Sequence, residues 1–172
     1  GFHLAPLDLR QNSDVHARVV AALLESAAPG TKYRDLKEPE RVQALLREID
    51  TVRPLVSPFL QYSAETTGEL AIVHAAAEAH RRYGKAAIEN YVISKTDDVS
   101  DILEVALLCK ECGLLRPQSG ELDVNIVPLF ETIGDLRNSG PVMDRLLSLP
   151  DYRRLIEGRG MFQERSEERR VG

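Results

Sequence analysis

The chain has 172 residues, 43% of them hydrophobic and 28% charged, and carries a net charge of -5. This is the composition of a globular domain or of part of a larger one, neither disordered nor fibrous. The negative balance argues against nucleic acid as a partner, which needs a basic face, and no apolar run approaches the roughly 18 residues of a membrane span.

The first run, FHLAPLDLR at residues 2–10, has the apolar density of a mostly buried strand ending in charge. Asn12, Ser13 and Asp14 then offer caps for a helix whose stripe is Val15, Val19, Val20, Leu23 and Leu24, and Pro29-Gly30 ends it. Glu38-Pro39-Glu40 opens a second helix, with proline in the first turn and acids near the positive end, burying Val42, Leu45, Leu46 and Ile49. Arg53-Pro54 and Ser57-Pro58 impose an extended connection. Ser63 caps a long helix over residues 64–83, closed by Gly84.

IENYVIS, residues 88–94, is β-branched and aromatic, and reads as a strand. Ser100 is expected to cap a helix carrying Ile102, Val105, Ala106 and Cys109 that ends at Gly113. VNIVPLF, residues 124–130, is a third strand; Pro141 is expected to open a further helix, and Asp151 to cap the last.

Strands alternating with helices predict an α/β fold with a parallel sheet, and the helical excess predicts part of a TIM-like (β/α) barrel with many extra helices. In such barrels the chemistry gathers at the C-terminal strand ends. Those ends are Asp8-Arg10-Gln11, Ser94-Lys95 and Glu131-Thr132, so polar residues recur where that fold puts function. Arg10 offers a planar cationic fork suited to phosphate or carboxylate, with a structural salt bridge as the plainer reading. Glu131 offers a hard oxygen ligand for a divalent cation; the plainer reading is a cap for the following helix.

Other candidates read as structure. Cys109 and Cys112 form a C-x-x-C within a helix, and no second cysteine pair or histidine cluster follows to complete zinc. Lys110-Glu111 between them reads as an exposed face. His16, His74 and His80 lack metal-type spacing, and Arg81-Arg82 and Arg153-Arg154 read as solvated faces, the latter near Asp151. No signal peptide is visible, Gly1 is not expected to be a natural start, and the two cysteines fit a reducing cytoplasm.

Longer runs carry a resemblance. GFHLAPLDLRQNSDVH, RPLVSP, YSAETTGELAI, YVIS followed by VSDILEVALL, KECGL and, most specifically, IVPLFETIGDL with the later PDYRRLIEGRGMFQE are similar to segments of bacterial phosphoenolpyruvate carboxylases. They occur in family order and span residues 1–164. The resemblance implies a carboxy-lyase that joins bicarbonate to phosphoenolpyruvate, giving oxaloacetate and phosphate. It implies that Arg10, in LDLRQ, binds the substrate phosphate, and that Glu131, in PLFET, binds a catalytic Mg²⁺ or Mn²⁺. It also implies a cytoplasmic bacterial homotetramer for the parent enzyme, with no membrane partner.

The family's catalytic histidine lies in a His-Pro-Thr-Glu run that does not occur in these 172 residues. Its second metal ligand lies in a Gly-Tyr-Ser-Asp segment after the Gln-Glu pair, where this chain reads RSEERRVG. The chain alone is therefore expected to be inactive. Lys95 stands where many relatives carry Met, so it is given no role. Residues 165–172 read as the translation of a common sequencing adapter and are expected to be disordered. Two rival readings are another metal-dependent barrel enzyme acting on phosphoenolpyruvate or pyruvate enolates, and a non-catalytic helical interaction module.

Overall fold

A computed structural model describes residues 5–167 of the chain. The elements are, in order, β1 (Leu7–Asn12), α1 (Ser13–Ala27), α2 (Glu38–Asp50), α3 (Ala64–Tyr83), β2 (Ile88–Ser94), α4 (Val99–Glu111), β3 (Leu115–Arg116), β4 (Glu121–Leu122), β5 (Asn125–Phe130), α5 (Ile133–Ser148), α6 (Pro150–Glu157) and β6 (Ser166–Glu167). The main sheet has the order β1-β2-β5-β6, and every pairing in it is parallel. The three expected strands are thus neighbours in one sheet. With β6 they make a four-stranded segment among the described residues; a closed barrel is not seen there.

Pleating divides the side chains between two faces. Tyr91 and Ile93 of β2 and Ile126 and Phe130 of β5 are buried under the helices. The other face presents Asp8, Arg10, Asn90, Val92, Ser94 and Asn125, half-buried or exposed. On it a polar ladder crosses three strands: Asn90 Nδ2 donates to Asp8 Oδ1 at 3.0 Å, and Asn125 Nδ2 to Asn90 Oδ1 at 3.0 Å.

β1 departs from expectation. It runs on to Asn12, and Leu7 is 68% exposed, so it is not a mostly buried strand. It lies at the sheet edge, with no further strand beyond it among the described residues. Residues 2–4 of the expected run lie outside the described residues. The disorder expected from residue 165 onward does not hold at Ser166–Glu167, which pair with Leu129 and Phe130. An open strand edge bonds any extended backbone, whatever its side chains. Residues 168–172 lie outside the described residues.

α4 is apolar nearly all round, and such a helix must be central. Ile102, Leu103, Val105, Ala106, Leu107, Leu108 and Cys109 are fully buried, and α1, α2, α3, α5 and β5 all pack on it. The Tyr33 hydroxyl donates to Glu104 Oε1 at 2.7 Å and so pins the turn between α1 and α2 onto α4; burial pushes the Glu104 carboxyl up to about 8. The cap of α4 is Asp98, in a reciprocal box with Asp101, rather than Ser100. Ser100 is instead the second residue of α4, donating through its backbone N–H and hydroxyl to Glu38 of α2 at 2.8 and 2.7 Å.

Lys110-Glu111 overturns its reading as an exposed face, since the two side chains are 3% and 0% exposed. Lys110 Nζ donates to the carbonyls of Glu48 and Arg53, at 2.7 and 3.0 Å, where α2 ends. Glu111 Oε2 accepts from the backbone N–H groups of Leu55 and Val56, at 2.8 and 2.9 Å. Local charge suggested solvent, but two proline-bound turns deliver backbone polar groups that need partners. Cys109 and Cys112 are buried free thiols, and the Cys112 thiol donates to Leu70 O at 3.7 Å.

Pro141 does not open a helix; it lies inside α5, whose cap is Thr132. Thr132 Oγ1 accepts from Asp135 N at 3.1 Å and Asp135 Oδ2 from Thr132 N at 2.9 Å. This reciprocal box, with Val142, Met143 and Leu146 buried beyond it, outweighs a mid-helix proline. Thr132→Ala should cost about 1 kcal/mol and lower the melting midpoint of the full-length protein, while Thr132→Ser should cost little. An unchanged midpoint for Thr132→Ala would mean that the box adds nothing.

Asp151 likewise lies in the first turn of α6 rather than capping it, because Pro150 takes the first position. The antiparallel pair β3–β4 was not anticipated, each strand being two residues long. Gly120, at φ +68°, closes its turn.

Candidate functional site

Three parallel strands place their C-terminal ends along one edge, and the residues read as site candidates meet there. Arg10 lies in β1, two residues before its end, on the face away from the helices. Glu131 follows directly on β5. Arg10 Nη2 lies 3.4 Å from Glu131 Oε1, across 121 positions of sequence. The Arg10 side chain is 53% exposed and that of Glu131 only 2%. A cation open to solvent thus stands over a nearly buried carboxylate.

Arg10 has a further partner that its sequence context did not indicate. Its Nε donates to Ser94 Oγ at 2.9 Å. Ser94 stands at the end of β2, paired in register with Asn12, so Arg10 reaches it on the diagonal. The signal available in the sequence was its place at a strand end; its role needed the register.

The loop after β2 is held tightly. Lys95 adopts φ +56°, an uncommon conformation for a side chain with a Cβ. Its carbonyl accepts from Ser13 Oγ at 2.7 Å. Thr96, fully buried, donates through its backbone to Leu129 O at 3.1 Å and through its hydroxyl to Ile93 O at 3.0 Å. On the other side of β1, Gln11 Nε2 donates to Glu69 Oε1 at 2.7 Å, and Gln11 Oε1 accepts from Asn12 N at 2.9 Å.

Arg10 also lines a cleft of about 350 Å³ with Asp8, Asn90, Val92, Val127, Leu129, Glu164 and the two residues of β6. Glu131 does not line that cleft; it sits behind the guanidinium. The two candidates therefore share one end of the sheet and one contact, but not the cleft wall. The helix-cap reading of Glu131 is set aside, because Thr132 fills that place.

The donor chemistry for a metal is partial. No cluster of three or more His, Cys, Asp or Glu suited to a metal occurs among the described residues. A buried carboxylate at a strand end suits Mg²⁺, which takes one or two carboxylates and draws its other oxygens from water and substrate. Glu131 fits as one such ligand, with the rest to come from elsewhere.

The remaining candidates are structural. His16 is buried, with Nε2 3.0 Å from the Tyr91 hydroxyl, and burial lowers it to about 4, so it is neutral at neutral pH. His80 Nε2 lies 2.7 Å from Ile88 O, and His74 is exposed. Arg81 and Arg82 pair with Glu78 in solvent. Arg153 is exposed, and Arg154 Nη2 donates to Pro117 O at 3.0 Å. None of the described helices is long and apolar enough to cross a membrane.

Comparison with known proteins gives a consistent result. A family model described as phosphoenolpyruvate carboxylase matches residues 1–165. A phosphoenolpyruvate carboxylase of Azoarcus sp. (strain BH72) is 62% identical over 164 residues, 95% of this chain and 18% of that protein. One from Aromatoleum aromaticum is 64% identical over 156 residues, 91% of this chain and 17% of that protein. One from Azorhizobium caulinodans is 60% identical over 164 residues, again 95% of this chain and 18% of that protein. The chain spans less than a fifth of the length of these relatives.

Proposed function

The chain belongs to the phosphoenolpyruvate carboxylase family, and from that premise we propose that residues 1–164 are a central segment of an enzyme that carboxylates phosphoenolpyruvate with bicarbonate. The products are oxaloacetate and phosphate. The observation that carries the assignment of the site is the convergence of Arg10 and Glu131, 3.4 Å apart at the C-terminal edge of the parallel sheet.

In this reading Arg10 binds the substrate phosphate. Its guanidinium is half-exposed on the open face of the sheet, permanently charged, and shaped for two phosphate oxygens. Glu131 is one ligand of a divalent cation, Mg²⁺ or Mn²⁺, which when bound stabilises the enolate charge that develops as the phosphoryl group departs. The short spacing brings substrate phosphate and metal ligand to one place. Strands β1, β2 and β5 form an arc of a TIM-like barrel whose open face, carrying Asp8, Asn90 and Asn125, looks inward in the whole protein. The catalytic histidine and second carboxylate ligand belong to the rest of that protein, so these 172 residues alone are inactive. Residues 165–172 are foreign to the carboxylase sequence. The whole enzyme is a cytoplasmic homotetramer, with no nucleic acid or membrane as partner.

The test is Arg10→Lys in the full-length enzyme. It keeps the charge and loses the fork. The KM for phosphoenolpyruvate should rise roughly 10–100-fold, the scale of a hydrogen bond to a charged group, with little change in Mg²⁺ requirement. A lower melting midpoint with unchanged KM would reduce Arg10 to a structural salt bridge.

A further inference from the structure

We propose that Glu104 sits in the core as a neutral carboxylic acid and acts as a proton-operated latch, so that loss of its proton opens the turn between α1 and α2.

Two buried glutamates stand on α4, and their surroundings differ. Glu111 accepts from two backbone N–H groups and has Lys110 Nζ at 3.3 Å, which suits a charged carboxylate. Glu104 is 0% exposed, and its one hydrogen-bond partner among the described residues is the Tyr33 hydroxyl, 2.7 Å from Oε1. Oε2 is buried with no partner. A buried carboxylate with a single neutral donor is poorly solvated, whereas the uncharged acid carries no such cost. The side chain is enclosed by residues of this segment, so the rest of the full-length protein adds no neighbour to it.

The charges nearby do not reverse this. Asp101, on α4 itself, and Glu38 of α2 oppose ionisation of Glu104. Arg41 of α2 favours it but is engaged by the turn: its guanidinium lies 5.6 Å from the centre of the Tyr33 ring and donates to the carbonyls of Leu36 and Arg34, at 3.1 and 2.8 Å. From α1, α3, α5 and β5 no cation forms an ion pair with Glu104 among the described residues. Burial, offset in part by the Tyr33 hydrogen bond, accordingly holds the carboxyl up at about 8, while burial also keeps the Tyr33 hydroxyl protonated. Asp101, pushed up to about 6 by burial, ionises first.

The latch acts on the single 3-10 turn Tyr33–Asp35. Within the turn, Asp35 N–H donates to Lys32 O at 3.0 Å and Leu36 N–H to Tyr33 O at 3.2 Å. Those bonds are local, so it is the buried Tyr33 side chain on Glu104 that fastens the turn to α4. Water reaches an ionised Glu104 only if Tyr33 leaves and the turn opens. Open, the carboxyl returns to its ordinary value of 4.5; closed, it stays at about 8. Opening therefore releases a proton between these limits, and the open fraction rises about tenfold per pH unit within them. The stability that the neutral acid contributes is whole below the lower value and is lost as pH rises through the upper one.

Hydrogen exchange in the full-length enzyme, followed by mass spectrometry on the peptide spanning residues 31–41, tests this. Dividing each rate by the intrinsic amide rate at the same pH gives the protection. In the wild type, protection at Asp35 and Leu36 should fall about tenfold between about pH 6.5 and 7.5. Glu104→Gln keeps an acceptor for Tyr33 and has no proton to lose, so its protection should stay level over the same range. Glu104→Met, apolar and of similar length, should do likewise and serves if the glutamine variant does not accumulate. Level protection in the wild type would overturn the proposal. So would an equal fall in the wild type and in either variant, which would assign the effect to another group.

Discussion

Glu131→Gln in the full-length carboxylase should weaken activation by Mg²⁺ by at least the ~10–100-fold that loss of a mere supporting partner costs a metal site, and should cut turnover at any attainable Mg²⁺ concentration. The substitution keeps size and hydrogen bonding and removes one negative charge. For a metal ligand that charge is what matters, since Mg²⁺ binds through few carboxylates and tolerates little loss among them. For a structural residue the same change should be mild. Thr132 and Asp135 supply the cap of α5 without Glu131, and the amide oxygen can still accept from Arg10. A carboxylate that is 2% exposed also carries a desolvation cost that the amide avoids. The expected pattern is therefore a severe kinetic defect with an unchanged or higher melting midpoint. Oxaloacetate formation measured against Mg²⁺ and substrate, beside a melting curve, decides the matter. Near-normal kinetics would remove Glu131 from the metal site.

Glu111→Ala should be the most damaging single change to stability among the polar groups described, at about 3–5 kcal/mol, the usual result of leaving one partner of a buried ion pair behind. It strands the N–H groups of Leu55 and Val56 and leaves Lys110 Nζ, 3.3 Å from Glu111 Oε1, without its counter-charge in the interior. That contact is an ion pair in distance but is not aligned as a hydrogen bond. Glu111→Gln should be milder, because the amide oxygen can still accept from the two backbone donors. The exposed pair of Arg82 with Glu78 is the control, and Arg82→Ala should cost little. In urea unfolding of the full-length enzyme, Glu111→Ala should lower the midpoint well below this control. The connection at residues 51–63 should also become cleavable by added protease. Equal midpoints for the two variants would show that the Glu111 contacts contribute nothing.

The sequence by itself determined the elements whose signals are local. Ser63 accepts from Thr66 N at the start of α3, and the helix runs over the expected residues 64–83 to Gly84, because cap and glycine act within one turn of the chain. The two apolar runs became β2 and β5, paired in parallel, because runs of that kind are stable only when covered. Arg10 and Glu131 were legible as candidates because each reads as the polar end of an apolar run, although β1 continues past Arg10 to Asn12. Competing local signals misled at helix starts. Ser100 and Pro141 look like helix starts, but the boxes Asp98–Asp101 and Thr132–Asp135 begin their helices earlier. Only the tertiary structure decided the rest. Lys110 and Glu111 read as solvated until α2 and the turn at Leu55 closed over them, since burial depends on what arrives from elsewhere in the chain. Likewise the register that sets Ser94 opposite Asn12, and the sheet order that brings Glu131 to Arg10, join residues 84 and 121 positions apart from Arg10. Strand pairing is a relation between distant segments, and no local pattern in either segment states which face or which neighbour it will have.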